Sequence, residues 1–118
     1  DIRETNEYEV ARLPQAVHLA PSAVDSIPLE ALKKQTPADV TVIAYCTAGY
    51  RSGLAAVALE KRLGRAVLNL DGGIISWFNA GGRVETPKGE TADRIHPFGD
   101  DWAKFVVPRA GPKKVQNP

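Results

Sequence analysis

Cys46 is the only cysteine in the chain, and it opens the run Cys46-Thr47-Ala48-Gly49-Tyr50-Arg51-Ser52. These residue types, in this order, can make a thiol ionise. A short loop of Thr, Ala and Gly can curl until its backbone N–H groups point inward as an anion-binding nest. A helix starting just behind the loop adds unpaired N–H groups and roughly +0.5 of an elementary charge. Arg51 supplies a full positive charge, and Ser52 is the expected N-cap of that helix. A free thiol titrates near ~8.5 and falls to roughly 3.5–7.5 in such surroundings. Cys46 is therefore expected to be a thiolate nucleophile at neutral pH, aimed at an anionic substrate. A lone cysteine can also be a small buried hydrophobe, but packing gives no reason for this loop composition. Arg51 either attracts the anion or braces the loop through hydrogen bonds to carbonyls. Tyr50 is expected at the rim.

The elements around the loop must hold it at the end of a sheet. Val40 to Tyr45 reads as a buried strand, and Leu54 to Leu63 as a helix ending at Gly64. Ala55, Leu59 and Leu63 recur every four residues on the face expected to lie on the sheet. Ala66 to Leu70 reads as the next strand, so strand, helix and strand imply a right-handed parallel crossover. Doubly wound sheets bind ligands outside the carboxyl ends of their strands, which is where this loop falls. Asp71-Gly72-Gly73 then turns into a helix from Ile74 to Ala80. Asp71 either caps that helix or borders the pocket, and Trp77 and Phe78 are expected in the core.

Three motifs in this order resemble the rhodanese family. Cys46-Thr47-Ala48-Gly49-Tyr50-Arg51-Ser52 matches the active loop C-x-x-G-x-R-S of its single-domain members. Leu70-Asp71-Gly72-Gly73 with Trp77 and Ala80-Gly81 matches L-D-G-G-x-x-x-W-x-x-A-G. Asp1-Ile2-Arg3-Glu4 with Glu7-Tyr8 looks like D-x-R-E…E-Y. The resemblance spans residues 1 to 84. It implies an α/β, three-layer fold: a central parallel sheet with helices on both faces. It places Asp1-Ile2-Arg3 at the end of a first strand; either the chain is trimmed or processed there, or that edge is built differently. Asp1, Arg3, Asp71 and Gly72 are expected at the pocket border. In Leu13-Pro14-Gln15-Ala16 the family's turn histidine and glycine are replaced by Arg12 and Gln15.

The resemblance also implies sulfur transfer. Cys46 would take a sulfane sulfur from a small anionic donor such as thiosulfate as a persulfide and pass it to cyanide or a thiol, without cofactor or metal. Thr47 to Ser52 would bind the substrate. One alternative is a persulfide carrier or redox-sensing module acting on a protein partner. Another is a phosphatase, but cysteine-dependent phosphatases use C-x5-R, and only four residues separate Cys46 from Arg51. A shorter loop suits a sulfur atom better than a tetrahedral phosphate.

Bulk properties bound the rest. A chain of 118 residues suits one domain that buries roughly two-thirds of its unfolded surface. Fifteen basic and fourteen acidic residues give no support for nucleic-acid binding. One cysteine excludes an internal disulfide and, with two distant histidines, disfavours zinc. No apolar run is long enough to span a membrane, so a soluble, cytoplasmic protein is the expectation. Residues 1–107 should form one domain: a core of 1–84 and a docked extension of 85–107, where Trp102 and Phe105 supply apolar bulk. Residues 108–118 should be a disordered tail. In the core, Thr5 to Ala11 reads as a helix capped by Thr5 or Asn6 with Tyr8 facing in, and Ala16 to Leu19 as a strand carrying a non-catalytic His18. Pro28 opens a helix to Lys34 or Gln35 from its first position. His96 is expected in packing or at the surface.

Overall fold

The computed structural model describes residues 1–109. Its centre is a parallel pair, β1 (Val42–Ala44) and β2 (Val67–Asn69), aligned Val42 to Val67, Ile43 to Leu68 and Ala44 to Asn69. Successive side chains of a strand point to opposite faces. Accordingly Ala44 joins one buried cluster and its neighbour Tyr45 another.

The first cluster gathers Leu32 of helix α2 (Leu29–Gln35) with Ala55, Ala56 and Leu59 of α3 (Tyr50–Leu63), plus Ile2, Leu19, Val24 and Val67. The two alanines let α3 lie close on both strands, and Gly64 ends it in a left-handed turn. The second cluster packs Ile74, Ile75 and Phe78 of α4 (Gly73–Asn79) against Ala11, Tyr45, Val84, Ala92 and Ile95. Helix α1 (Thr5–Val10) precedes both, and the short α5 (Asp100–Ala103) follows them.

Several expectations change. Helix α1 is capped by Glu4, not Thr5 or Asn6, because Glu4 and Glu7 form a reciprocal capping box. Tyr8 is half-buried, its ring stacked on His18 and covered by the Arg12 guanidinium. Residues 16–19 form no strand: the Asp1 nitrogen donates to the Val17 carbonyl, the Leu19 amide donates to the Asp1 carbonyl, and no ladder continues. Pro28 is the N-cap of α2, not its first helical residue. Trp77 is 37 % exposed. Its ring lies over Gly82 and its indole N–H donates to the Arg83 carbonyl, so a surface lid replaces the expected core position.

In the extension, Ala92 and Ile95 are buried, whereas Trp102 and Phe105 remain exposed. Asn79 accepts from the Val107 amide and donates to the Phe105 carbonyl. Arg109 donates to the Phe78 and Gly82 carbonyls. The remainder of the tail expected to be disordered, 110–118, lies outside the described residues. No helix among the described residues is long and apolar enough to cross a membrane.

Candidate active site

The chain leaves β1 through Tyr45 and forms the Cys46–Gly49 loop before α3 begins. Gly49, at φ 109°, is the N-cap, a left-handed conformation that a side chain would oppose. The turn brings α3 in at Tyr50, earlier than expected. Ser52 is consequently not the cap but the third residue of the helix, and its hydroxyl faces the sulfur. Cys46 Sγ accepts hydrogen bonds from the Gly49 amide at 3.2 Å, the Ser52 amide at 3.4 Å and the Ser52 hydroxyl at 3.3 Å. Cys46 is 1 % exposed. Burial alone would push its thiol up, but these donors and the Ala48 amide outweigh it and hold the pKa below the ordinary value.

The amides can face the sulfur because the loop's carbonyls are held from behind. At the start of α4, the Ile74 amide donates to the Cys46 carbonyl at 2.9 Å and the Ile75 amide to the Thr47 carbonyl at 3.1 Å. Gly73 makes this approach sterically allowed: a Cβ there would lie 2.4 Å from the Thr47 oxygen. The first turns of both helices thus serve one loop, α3 from the sulfur side and α4 from the carbonyl side.

Arg51 is a brace. Its guanidinium meets Glu7 at two points, both 2.9 Å, and donates to the Thr47 hydroxyl at 2.7 Å. Thr47 in turn donates to Glu7 at 2.8 Å. The bracing partners are a carboxylate and a hydroxyl, not the carbonyls expected. The Phe98 ring covers the guanidinium face, 4.2 Å from its centre. Burial opposes the charge on Glu7, yet the bonds from Arg51, the Glu4 amide and Thr47 hold its carboxyl below the usual range. Burial likewise opposes the charge on Arg51, and Glu7 more than offsets it.

The other expected site residues take different places, Gly72 among them close to the loop, its backbone nitrogen 3.6 Å from a Cβ built on Gly49. Thr47 is buried, Ala48 half-buried, and Tyr50 is 76 % exposed. Asp1 and Arg3 make no hydrogen bond to the loop, but the Arg3 guanidinium is near enough to Cys46 to feel its charge. Asp1 and Arg3 form a fully buried ion pair at 2.7 Å, and Arg3 also donates to the Ala11 carbonyl. Tyr45 donates to Asp1 at 2.6 Å. Asp71 is exposed and does not cap α4; Gly72 does, in a left-handed conformation. His18 bonds the Arg3 carbonyl and His96 accepts from the Phe98 amide, so neither touches the sulfur. A cavity of about 700 Å³ lies between β1 and residues 13–19, and none of residues 46–52 lines it. No group of three or more metal-ligating side chains occurs among the described residues.

Glu7, Asn69 and Phe98 were not expected here. Glu7 stands in the Glu4…Glu7-Tyr8 motif, but nothing in that motif ties it to the loop. Asn69 and Phe98 had no signal in the sequence.

Fold and site define an α/β domain that holds one cysteine sulfur in a main-chain cradle between a parallel strand and a helix. Residues 1–80 match the model of the rhodanese-like domain. The chain belongs to that family. It is 35 % identical over 89 residues to a protein named sulfurtransferase from Allochromatium vinosum, an alignment covering 75 % of this chain and 78 % of that one. The solution structure of protein hp1203 from Helicobacter pylori is similar at 28 % identity and TM-score 0.59, covering 75 % of this chain and 76 % of that one. The crystal structure of BH2092 from Bacillus halodurans, at 22 % identity and TM-score 0.59, covers 99 % of this chain and 73 % of that one and shares the fold.

Proposed function

We propose that the protein is a sulfurtransferase that carries a sulfane sulfur as a persulfide on Cys46. The observation that carries this reading is the set of donors on Sγ: two amides and a hydroxyl within 3.4 Å. They are fixed before reaction begins, so stabilising the charged sulfur needs little reorganisation. In the first half-reaction the thiolate attacks the outer sulfur of a donor such as thiosulfate. The new S–S bond forms as the donor's S–S bond breaks, and sulfite leaves with the electron pair. In the second half-reaction cyanide or a thiol attacks the outer sulfur of the persulfide and restores the thiolate.

The recessed position of Cys46 fits a donor that presents one narrow terminal atom. Arg51 supports the reaction indirectly in this reading. With its charge matched by Glu7, recognition of the anion falls to the amides of Ala48, Gly49 and Ser52, while Thr47 and Arg51 keep the loop in shape. The same reading takes the helices packed over the two buried clusters, α2 and α3 on one and α4 on the other, as the outer layers of a three-layer domain.

The test is turnover of thiosulfate and cyanide to thiocyanate. Wild-type protein should release thiocyanate, and after thiosulfate alone it should gain the mass of one sulfur atom, removable by cyanide. Cys46→Ser should do neither. Undiminished turnover in that variant, or the added sulfur mapping to another residue, would end the assignment.

A further inference from the structure

Asn69, the last residue of β2, has a side chain whose two ends are both committed beside the sulfur. Its Nδ2 donates to the Gly49 carbonyl at 3.0 Å, and its Oδ1 lies 2.5 Å from Ser52 Oγ. A carbonyl oxygen can only accept, so Gly49 determines which end of the amide is nitrogen. Oδ1 therefore faces the Ser52 hydroxyl and can only accept from it. Gly53 leaves room for this: a Cβ there would lie 3.3 Å from Nδ2.

Ser52 has a single hydroxyl proton and three acceptors around it: Asn69 Oδ1 at 2.5 Å, Cys46 Sγ at 3.3 Å and the Gly49 carbonyl at 3.3 Å. One proton cannot serve all three. A bond to a charged acceptor is roughly twice as strong as one to a neutral acceptor. The charge on the sulfur therefore decides where the proton goes.

We propose that Asn69 is a positioning residue that competes with Cys46 for the Ser52 hydroxyl proton, and that this proton changes partner as charge arrives at and leaves Sγ. In the thiolate state it turns to Sγ. Once Sγ has bonded the incoming sulfur and the leaving group has departed with its electron pair, the negative charge sits on the terminal sulfur. Sγ is then a weak neutral acceptor, and the proton turns to Asn69 Oδ1. Passing the outer sulfur to the acceptor returns the charge to Sγ, and the proton follows it. The protein neither gains nor loses a proton in either half. The persulfide half of this cycle rests on the sulfurtransferase reading; the competition for the proton does not.

The experiment is the pH dependence of Cys46 alkylation by iodoacetamide in wild-type protein, Asn69→Ala, Ser52→Ala and the double variant. Freed from its rival, the Ser52 hydroxyl keeps donating to the thiolate in Asn69→Ala, so the midpoint moves to lower pH. The alkylated fraction below the wild-type midpoint should rise about threefold. Ser52→Ala should move the midpoint up, and adding Asn69→Ala to it should change nothing further. A midpoint that rises or stays put in Asn69→Ala, or falls equally in the Ser52→Ala background, overturns the proposal, because a plain bracing role would loosen the cradle. If Asn69→Ala does not fold, Asn69→Val, a better strand former with no acceptor of its own, is read the same way. Thiocyanate release measured alongside separates the two claims. Absent turnover with the alkylation pattern intact removes only the sulfurtransferase reading.

Discussion

The Arg51 guanidinium and the Glu7 carboxylate meet at two points, each 2.9 Å, across 44 residues of sequence. The pair joins the first helix to the loop carrying the nucleophile, and Glu7 is only 1 % exposed while Arg51 is 21 % exposed. Such a two-point pair costs more when one partner is removed than it contributes when whole.

Glu7→Gln should therefore destabilise the protein by about 2–3 kcal/mol and reduce sulfur transfer, since Arg51 loses its counter-charge and one carboxylate oxygen becomes an NH2 that cannot accept from Arg51 or the Glu4 amide. Urea denaturation of the two proteins measures it. A change below about 0.5 kcal/mol would show that the pair does not brace the loop.

The lowered pKa of Glu7 sets a pH signature. A carboxyl held down in the folded state contributes stability that is complete above its unfolded value of 4.5 and is lost as pH falls through the folded value. Wild-type stability should fall on acidification below about pH 4.5, and Glu7→Gln should lack that part of the slope. Equal slopes would mean that Glu7 titrates alike in both states.

Cys46 is also held down, so the same sign applies at higher pH. Its contribution to stability is complete above 9.0 and fades as pH falls towards the folded value. Alkylation of native protein should stay fast below pH 9.0 and slow only near the lowered midpoint, while urea-unfolded protein should titrate as an ordinary thiol. Coincident midpoints would contradict the cradle.

Two glycines with similar backbones should respond differently. Gly64 (φ 67°) has open space at its Cβ position, whereas a Cβ on Gly73 (φ 61°) would strike the Thr47 and Cys46 carbonyls. Gly64→Ala should cost about 1 kcal/mol of stability and leave turnover intact. Gly73→Ala should cost about 3 kcal/mol or more and reduce turnover at least tenfold. Equal costs would deny the close approach of α4 to the loop.

The loop was legible in the sequence because its chemistry is contiguous: one cysteine, small residues, an arginine and a serine between a strand-like and a helix-like run. Family membership followed from three short motifs for the same reason. What joins the loop to distant positions was not legible. Glu7 reads as an ordinary acidic residue of a first helical turn until Arg51 is placed beside it, and Asn69 as the polar end of a strand. Trp77 has the bulk of a core residue, yet its indole N–H pairs with a carbonyl at the surface. The strand expected over residues 16–19 has the right composition but pairs only with Asp1. Pairing depends on the neighbour as well as on the residues themselves.

Two helices distant in sequence from one another's start must both be seated before the Cys46–Gly49 loop has its shape. Undocking α3 takes away the Gly49 and Ser52 donors that lower the thiol pKa, and undocking α4 frees the carbonyls that hold those donors in place. Chemical reactivity at this one atom is therefore a gauge of completed assembly, readable without any substrate.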